Sequence, residues 1–175
     1  SNANEAYEMT KLAFKINGPV YIRITRELEQ NFELESGGSL INTMIKSGEK
    51  VAIVGSGPFL YKGYELSKLL NERSGINAAV FNLSYIKPYP VDYIKNILEG
   101  FEIIITLEDH QIKGGIGSII SEIASEFNPR RILMLGINDR FGECGTKALL
   151  DKELGIDIET SFEKVQTFLS KVKTL

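Results

Sequence analysis

Phe101-Glu102-Ile103-Ile104-Ile105-Thr106-Leu107-Glu108-Asp109-His110 is the stretch on which the fold turns. Its first seven residues read as a strand with no polar face, so burial on both sides is expected, as in a parallel sheet covered by helices. Gly114-Gly115-Ile116-Gly117-Ser118 follows and leads into a helical stretch at 118–127, stopped by Asn128-Pro129. The same alternation extends outward in both directions. Upstream, residues 60–73 place Leu66, Leu69 and Leu70 on one helical face, 78–82 read as a strand, and 91–98 form a helix after Pro88 and Pro90. Downstream, 131–135 read as a further buried strand and 146–154 as a helix ending at Gly155. Thr160-Ser161-Phe162-Glu163 is a capping box that opens a last helix over 162–173. Strand–helix–strand units of this length take right-handed crossovers and give a parallel sheet. Residues 40–45 and 51–54, joined through 46–50, predict an antiparallel hairpin at one edge. The expected fold is a three-layer α/β/α sandwich with a mixed, mostly parallel sheet of about five strands.

Ser1-Asn2-Ala3 reads as a remnant of tag removal. Residues 5–15 carry Ala6, Met9 and Ala13 at helical spacing before Asn17-Gly18-Pro19 breaks the chain. Val20, Ile22 and Ile24 then share one side of a short predicted strand. One helix and one strand cannot bury themselves, so residues 4–26 are expected to be the tail of a larger module, 27–39 a linker and 40–175 a complete domain.

Composition excludes several classes. The 175 residues are 43% hydrophobic and 25% charged, which excludes collagen, low-complexity disorder and coiled coil. Lys and Arg number 20 against 23 Asp and Glu, a net charge of −3, so no basic excess exists to neutralise nucleic acid. The apolar runs are far shorter than a membrane span. A single cysteine, Cys144, cannot form an internal disulfide, and with the single His110 it cannot make a zinc site. The reducing cytosol is the expected compartment.

Four polar segments are candidates for chemistry. Gly55-Ser56-Gly57-Pro58 lies between a strand and a helix, where N–H groups can hold an anion or simply make a tight turn. It lacks the third glycine of a dinucleotide fingerprint and the Gly-Lys-Ser/Thr of a P-loop. Glu108, Asp109 and His110, with Gly114, Gly115, Gly117 and Ser118, stand at the carboxyl end of the most apolar strand, where open α/β sheets place ligands. Two readings of that cluster stay open: a ligand or interface site with His110 as proton shuttle or phosphate contact, or carboxylates satisfying N–H groups while the glycines let helix and sheet approach. In residues 138–145, Asp139, Arg140 and Glu143 suggest an ion-paired loop, and Cys144 is expected to be a small packed residue. Arg23 and Arg26 end the first segment, where a guanidinium suits a phosphate or carboxylate.

Taken in order, the motifs Gly18-Pro19-Val20-Tyr21-Ile22-Arg23-Ile24-Thr25-Arg26, Val51–Gly57, Asn82–Pro88, Glu108-Asp109-His110 with its glycines, and Gly136–Gly145 resemble the carboxyl-terminal portion of a transketolase. Deoxyxylulose-phosphate synthases and 2-oxo-acid dehydrogenase beta subunits share this domain, and split bacterial transketolases are most similar. The resemblance implies a noncatalytic structural and dimer-supporting module of an enzyme that moves a two-carbon ketol unit between sugar phosphates. Thiamine diphosphate and a divalent metal such as magnesium would serve that enzyme. Neither is expected in this chain, because the Gly-Asp-Gly signature is absent and the activating glutamate belongs to the upstream pyrimidine module. The expected partners are those missing modules, in the same chain or an N-terminal subunit, and a second copy of the assembled enzyme. Of the family's functional residues, the resemblance places only one here: Arg26, as a contact to the substrate's phosphate. Cys144 stands where the family usually has serine.

Overall fold

The computed structural model describes residues 1–25 and 41–173. Eleven elements follow one another: α1 (Ala3–Ala13), β1 (Met44–Lys46), β2 (Val51–Gly55), α2 (Phe59–Ser74), β3 (Ala79–Asn82), α3 (Val91–Gly100), β4 (Ile103–Gln111), α4 (Ile116–Phe127), β5 (Arg131–Ile137), α5 (Lys147–Glu153) and α6 (Ile158–Lys173). The five strands form one sheet in the order β1-β3-β2-β4-β5. β2, β3, β4 and β5 run parallel, and β1 is antiparallel to β3. This is the mixed α/β sandwich that the alternation predicted.

Period-two alternation divides the core between the two faces of the sheet. Val51, Ile53, Ile103, Ile105 and Leu107 point to one face and meet Phe59, Leu60, Leu66 and Leu70 of α2 with Val165 and Leu169 of α6. Ala52, Val54, Ile104 and Phe81 point to the other and meet Ile94, Ile97 and Leu98 of α3 with Ile119, Ile120 and Ala124 of α4. Every residue of β2 is buried, as a central strand covered on both faces must be.

The predicted hairpin between residues 40–45 and 51–54 does not form. β3 lies between β1 and β2, and β1 pairs with it through Met44 opposite Phe81 and Lys46 opposite Val80. The connection 46–50 crosses the entrance of β3 instead of turning back, and Glu49 N donates to Asn77 O at 2.7 Å. Gly48 makes the crossing possible, since a Cβ there would strike the backbone of Ala78 and Ala79 and lie 2.6 Å from Asn77 O.

Three other expectations change. Residues 19–25 adopt neither strand nor helix, because among the described residues no neighbouring strand supplies a ladder. β5 is an edge strand with Arg131 exposed and Ile132, Leu133 and Met134 only half-buried. α6 begins one turn before the capping box, because Asp157 Oδ1 accepts from Thr160 N at 3.0 Å and caps the helix ahead of Thr160. The domain boundaries at 26/27 and 39/40 lie outside the described residues.

Candidate functional site

The chain leaves β2 toward β3 on one side and β4 toward β5 on the other, so the loops diverge over the β2–β4 seam. Gly55-Ser56-Gly57 and Glu108-Asp109-His110 both stand at that seam. The first is a tight turn: Gly57 has φ +56°, and a Cβ on Gly55 would lie 3.0 Å from the Cα of Leu60.

In the second cluster, alternation along β4 sends Glu108 to the same side as Ile104 and Thr106, toward α4. Its Oε1 accepts from the Thr106 hydroxyl at 3.0 Å and from Gly117 N at 3.2 Å. Gly115, the N-cap residue of α4, offers no side chain to the helix, so Glu108 supplies from the neighbouring strand the acceptor that a Ser or Asp would supply locally. A carboxylate there also faces the positive end of the helix dipole. The Glu108 side chain is wholly buried, and among the described residues its Oε2 has no hydrogen-bond partner. His110 Nδ1 is 3.8 Å from that oxygen and turns instead to Gln111 O at 2.8 Å. Burial pushes the Glu108 carboxyl above its usual range, against the opposing pull of the Thr106 hydroxyl, His110 and the N–H groups of Gly117 and Ile116.

The glycines have distinct physical reasons. Gly114 has φ +78° and donates its N–H to Ser118 Oγ at 2.9 Å, while Ser118 Oγ donates to Ile112 O at 3.1 Å and closes the turn. A Cβ on Gly115 would collide with Glu108 Oε2 and stand 2.6 Å from His110 Cε1. One on Gly117 would stand 2.7 Å from Thr106 Oγ1 and 2.5 Å from Met134 Cγ. Glycine at 115 and 117 therefore sets how closely α4 seats on β4 and β5.

Asp109 points the opposite way and meets Arg23, which comes from 86 residues earlier. The contact is bidentate, with Nη1 to Oδ1 at 2.8 Å and Nη2 to Oδ2 at 2.7 Å. Burial raises the Asp109 carboxyl, and the Arg23 guanidinium more than reverses this, holding it below its ordinary range. Two motifs that were separate in sequence thus share one contact. Arg26 lies outside the described residues.

Residues 138–146 form an exposed loop held by ion pairs. Arg140 meets Glu143 at 2.6 Å and Glu153 at 3.3 Å, while Asp139 pairs with Lys113 at 3.3 Å instead of with Arg140. Cys144 is exposed in this loop, contrary to the packed position expected, because the loop lies outside both cores.

One pair escaped the sequence reading. Glu5 of α1 is buried, and its Oε1 accepts from Asn82 Nδ2 at 2.7 Å at the end of β3. A polar residue closing a buried strand was the available signal for Asn82; nothing local pointed to Glu5.

The cluster has little capacity left for a cofactor or metal: Glu108 is committed to α4 and Asp109 to Arg23. Among the described residues no group of three or more His, Cys, Asp or Glu side chains is placed to hold a metal ion. Among the described residues, this cluster does not fit a thiamine diphosphate cradle.

Because burial raises the Glu108 carboxyl, its contribution to stability is fully present below the unfolded carboxyl range, about 4.3, and is lost as pH rises through the folded value. Asp109 and Asp157 are held low and act in the opposite sense, losing their contribution only as pH falls below about 4. Glu108→Gln keeps an acceptor for Thr106 and Gly117 but cannot ionise. In urea unfolding between pH 5 and 8, the variant is expected to gain on the wild type as pH rises. Parallel stability curves would refute an ionising Glu108.

In this α/β/α sandwich both switch-point carboxylates are bonded within the chain, Glu108 to α4 and Asp109 to Arg23. Residues 42–160 match the family model for the transketolase C-terminal domain, and the chain belongs to that family. It is 32% identical over 163 residues to a 1-deoxy-D-xylulose-5-phosphate synthase of Caldanaerobacter subterraneus subsp. tengcongensis, covering 91% of this chain and 26% of the relative. It is also 32% identical over 164 residues to a putative transketolase C-terminal section of Methanocaldococcus jannaschii, covering 88% and 49%. Among solved structures, a split-gene transketolase described as an inactive beta4 tetramer superposes with a TM-score of 0.84 at 30% identity, over 97% of this chain and 55% of the other. The chain thus spans about a quarter to a half of the curated relatives it matches.

Proposed function

We propose that this chain is the C-terminal, noncatalytic section of a thiamine diphosphate-dependent transketolase, working with the modules that precede it in its relatives. The observation that carries this reading is the likeness to the split-gene transketolase, which extends over 97% of the chain and so takes in residues ahead of the domain. Residues 4–26 are then the end of the pyrimidine module, 27–39 the linker and 40–175 the C-terminal domain. Exposed apolar side chains in the first segment fit this division: Tyr7, Phe14, Tyr21 and Ile24 are 63%, 89%, 88% and 74% exposed. Surfaces of that kind mark contact with another part of an assembly.

In this reading the assembled enzyme is a cytoplasmic homodimer of the pentose phosphate pathway that transfers a ketol unit between sugar phosphates. Thiamine diphosphate and magnesium sit in the other modules, and Arg26 contacts the substrate's phosphate. Among the described residues no helix is long and apolar enough to cross a membrane. A second reading, a deoxyxylulose-phosphate synthase, is favoured by the 32% identity to that enzyme over 91% of the chain.

Two measurements test the proposal. Calorimetric titration of the chain with thiamine diphosphate and magnesium is expected to be flat, and saturable heat in the micromolar range would overturn it. The chain mixed with its upstream modules is expected to transfer ketol units between sugar phosphates. Formation of 1-deoxy-D-xylulose 5-phosphate instead would decide for the second reading.

A further inference from the structure

We propose that Asp109 is a positioning residue: its carboxylate grips Arg23 and fixes segment 19–25 on the carboxyl end of the sheet, which sets how that segment enters the substrate site of the assembled enzyme. The consequence for substrate rests on the transketolase reading above; the grip itself does not.

Among the described residues, segment 19–25 forms neither helix nor strand, so no regular ladder sets its path. A side-chain anchor can do so, and the Arg23–Asp109 fork, with both distances at 2.7–2.8 Å, constrains direction as well as distance. The receiving end is held on both sides along the chain. Asp109 belongs to β4, between Leu107, which is paired with β2 and β5, and Gln111, where pairing with β5 resumes after an irregularity. Its neighbour Glu108 is bonded to Thr106 and to the first turn of α4, so the strand end cannot swing. Gln111, two residues on, clasps the loop after β5: Oε1 accepts from Asp139 N and Nε2 donates to Arg140 O, both at 2.7 Å.

One anchor alone would be a pivot. A second exists where Glu5 meets Asn82 at the end of β3, at the same carboxyl end of the sheet. Residues 1–25 are therefore tied at these two points, near the ends of β3 and β4, and the pair fixes the line along which the segment crosses the sheet. Arg23 remains largely exposed, and exposed pairs contribute little to stability. The contact is better suited to setting direction than to holding the fold together.

Trypsin tests the grip on the chain itself, since cleavage after Arg23 requires its side chain to leave Asp109. Asp109→Asn is expected to speed cleavage after Arg23 about fivefold, the scale of a weak ion pair, and to leave cleavage after Lys15 unchanged. High salt, where the screening length falls to about 3 Å, should bring the wild type toward the variant. An unchanged rate after Arg23 would overturn the proposal. In the assembled enzyme, Asp109→Asn is expected to raise KM for a phosphorylated ketose about five- to tenfold while kcat moves less than twofold. KM for the unphosphorylated ketose should stay put, and the exchange Asp109→Arg with Arg23→Asp should restore the phosphorylated one. A uniform loss with both substrates, or no change in KM, would overturn the positioning role. A wild-type assembly without activity would instead overturn the transketolase reading, and the trypsin rates would still decide the grip.

Discussion

Gly115→Val is expected to destabilise the domain by about 3 kcal/mol in urea unfolding, the combined scale of overpacking and of broken hydrogen bonds to a buried carboxyl group. The backbone is not the cause, since Gly115 has φ −86°, which any residue adopts. The cause is the space its missing Cβ leaves. A methyl there meets Glu108 Oε2 and lies 2.6 Å from His110 Cε1, and the Glu108 side chain is wholly buried. To make room, either Glu108 gives up Thr106 and Gly117 or α4 lifts from the sheet. Each route exposes or strands polar groups.

Gly114→Ala provides the contrast. Nothing lies within 4 Å of a Cβ there, but φ is +78°. Its cost should be about 1 kcal/mol, from backbone strain alone. A double variant separates the two mechanisms: Glu108→Ala should recover part of the loss at Gly115→Ala and none of it at Gly114→Ala. Gly115→Val within 1 kcal/mol of the wild type would refute the collision.

The same residues show how far the sequence could be read. Ile103 to Leu107 have no polar face because β4 is covered on both sides, and this much was legible in a seven-residue run. Alternation also places Glu108 with Thr106 and Ile104, so its direction toward a helix was implicit. Its role as a cap was not, since the donating N–H belongs to Gly117, nine residues on. Pairing partners were less legible still. The pattern around residues 40–54 fits a hairpin and a crossing connection equally well, and only the insertion of β3 decides between them. Residues 20–24 have a strand's alternation, but among the described residues no strand lies paired beside them. α6 offers two capping signals three residues apart, and the earlier one, Asp157, is used. The Arg23–Asp109 and Glu5–Asn82 contacts join residues 86 and 77 positions apart, beyond the reach of any local pattern.

On the transketolase reading proposed above, Arg26→Ala is expected to lower kcat/KM of the assembled enzyme for phosphorylated substrates about ten- to hundredfold, the loss of the proposed charge-assisted phosphate contact. Cofactor affinity should barely move, because that reading puts the cofactor's diphosphate and metal in other modules. Unphosphorylated analogues should react as with the wild type. Arg26→Lys keeps the charge but not the planar fork, so it should recover only part of the loss. The relation to Asp109 makes the prediction sharper. If Asp109 acts by aiming the segment that leads to Arg26, its effect requires the guanidinium at position 26 to be present. Asp109→Asn should then add nothing further in an Arg26→Ala background, although it raises KM on its own. Additive losses would mean that the two residues act independently and would refute the coupling. A variant at Arg26 that loses cofactor while treating phosphorylated donors normally would refute the phosphate contact.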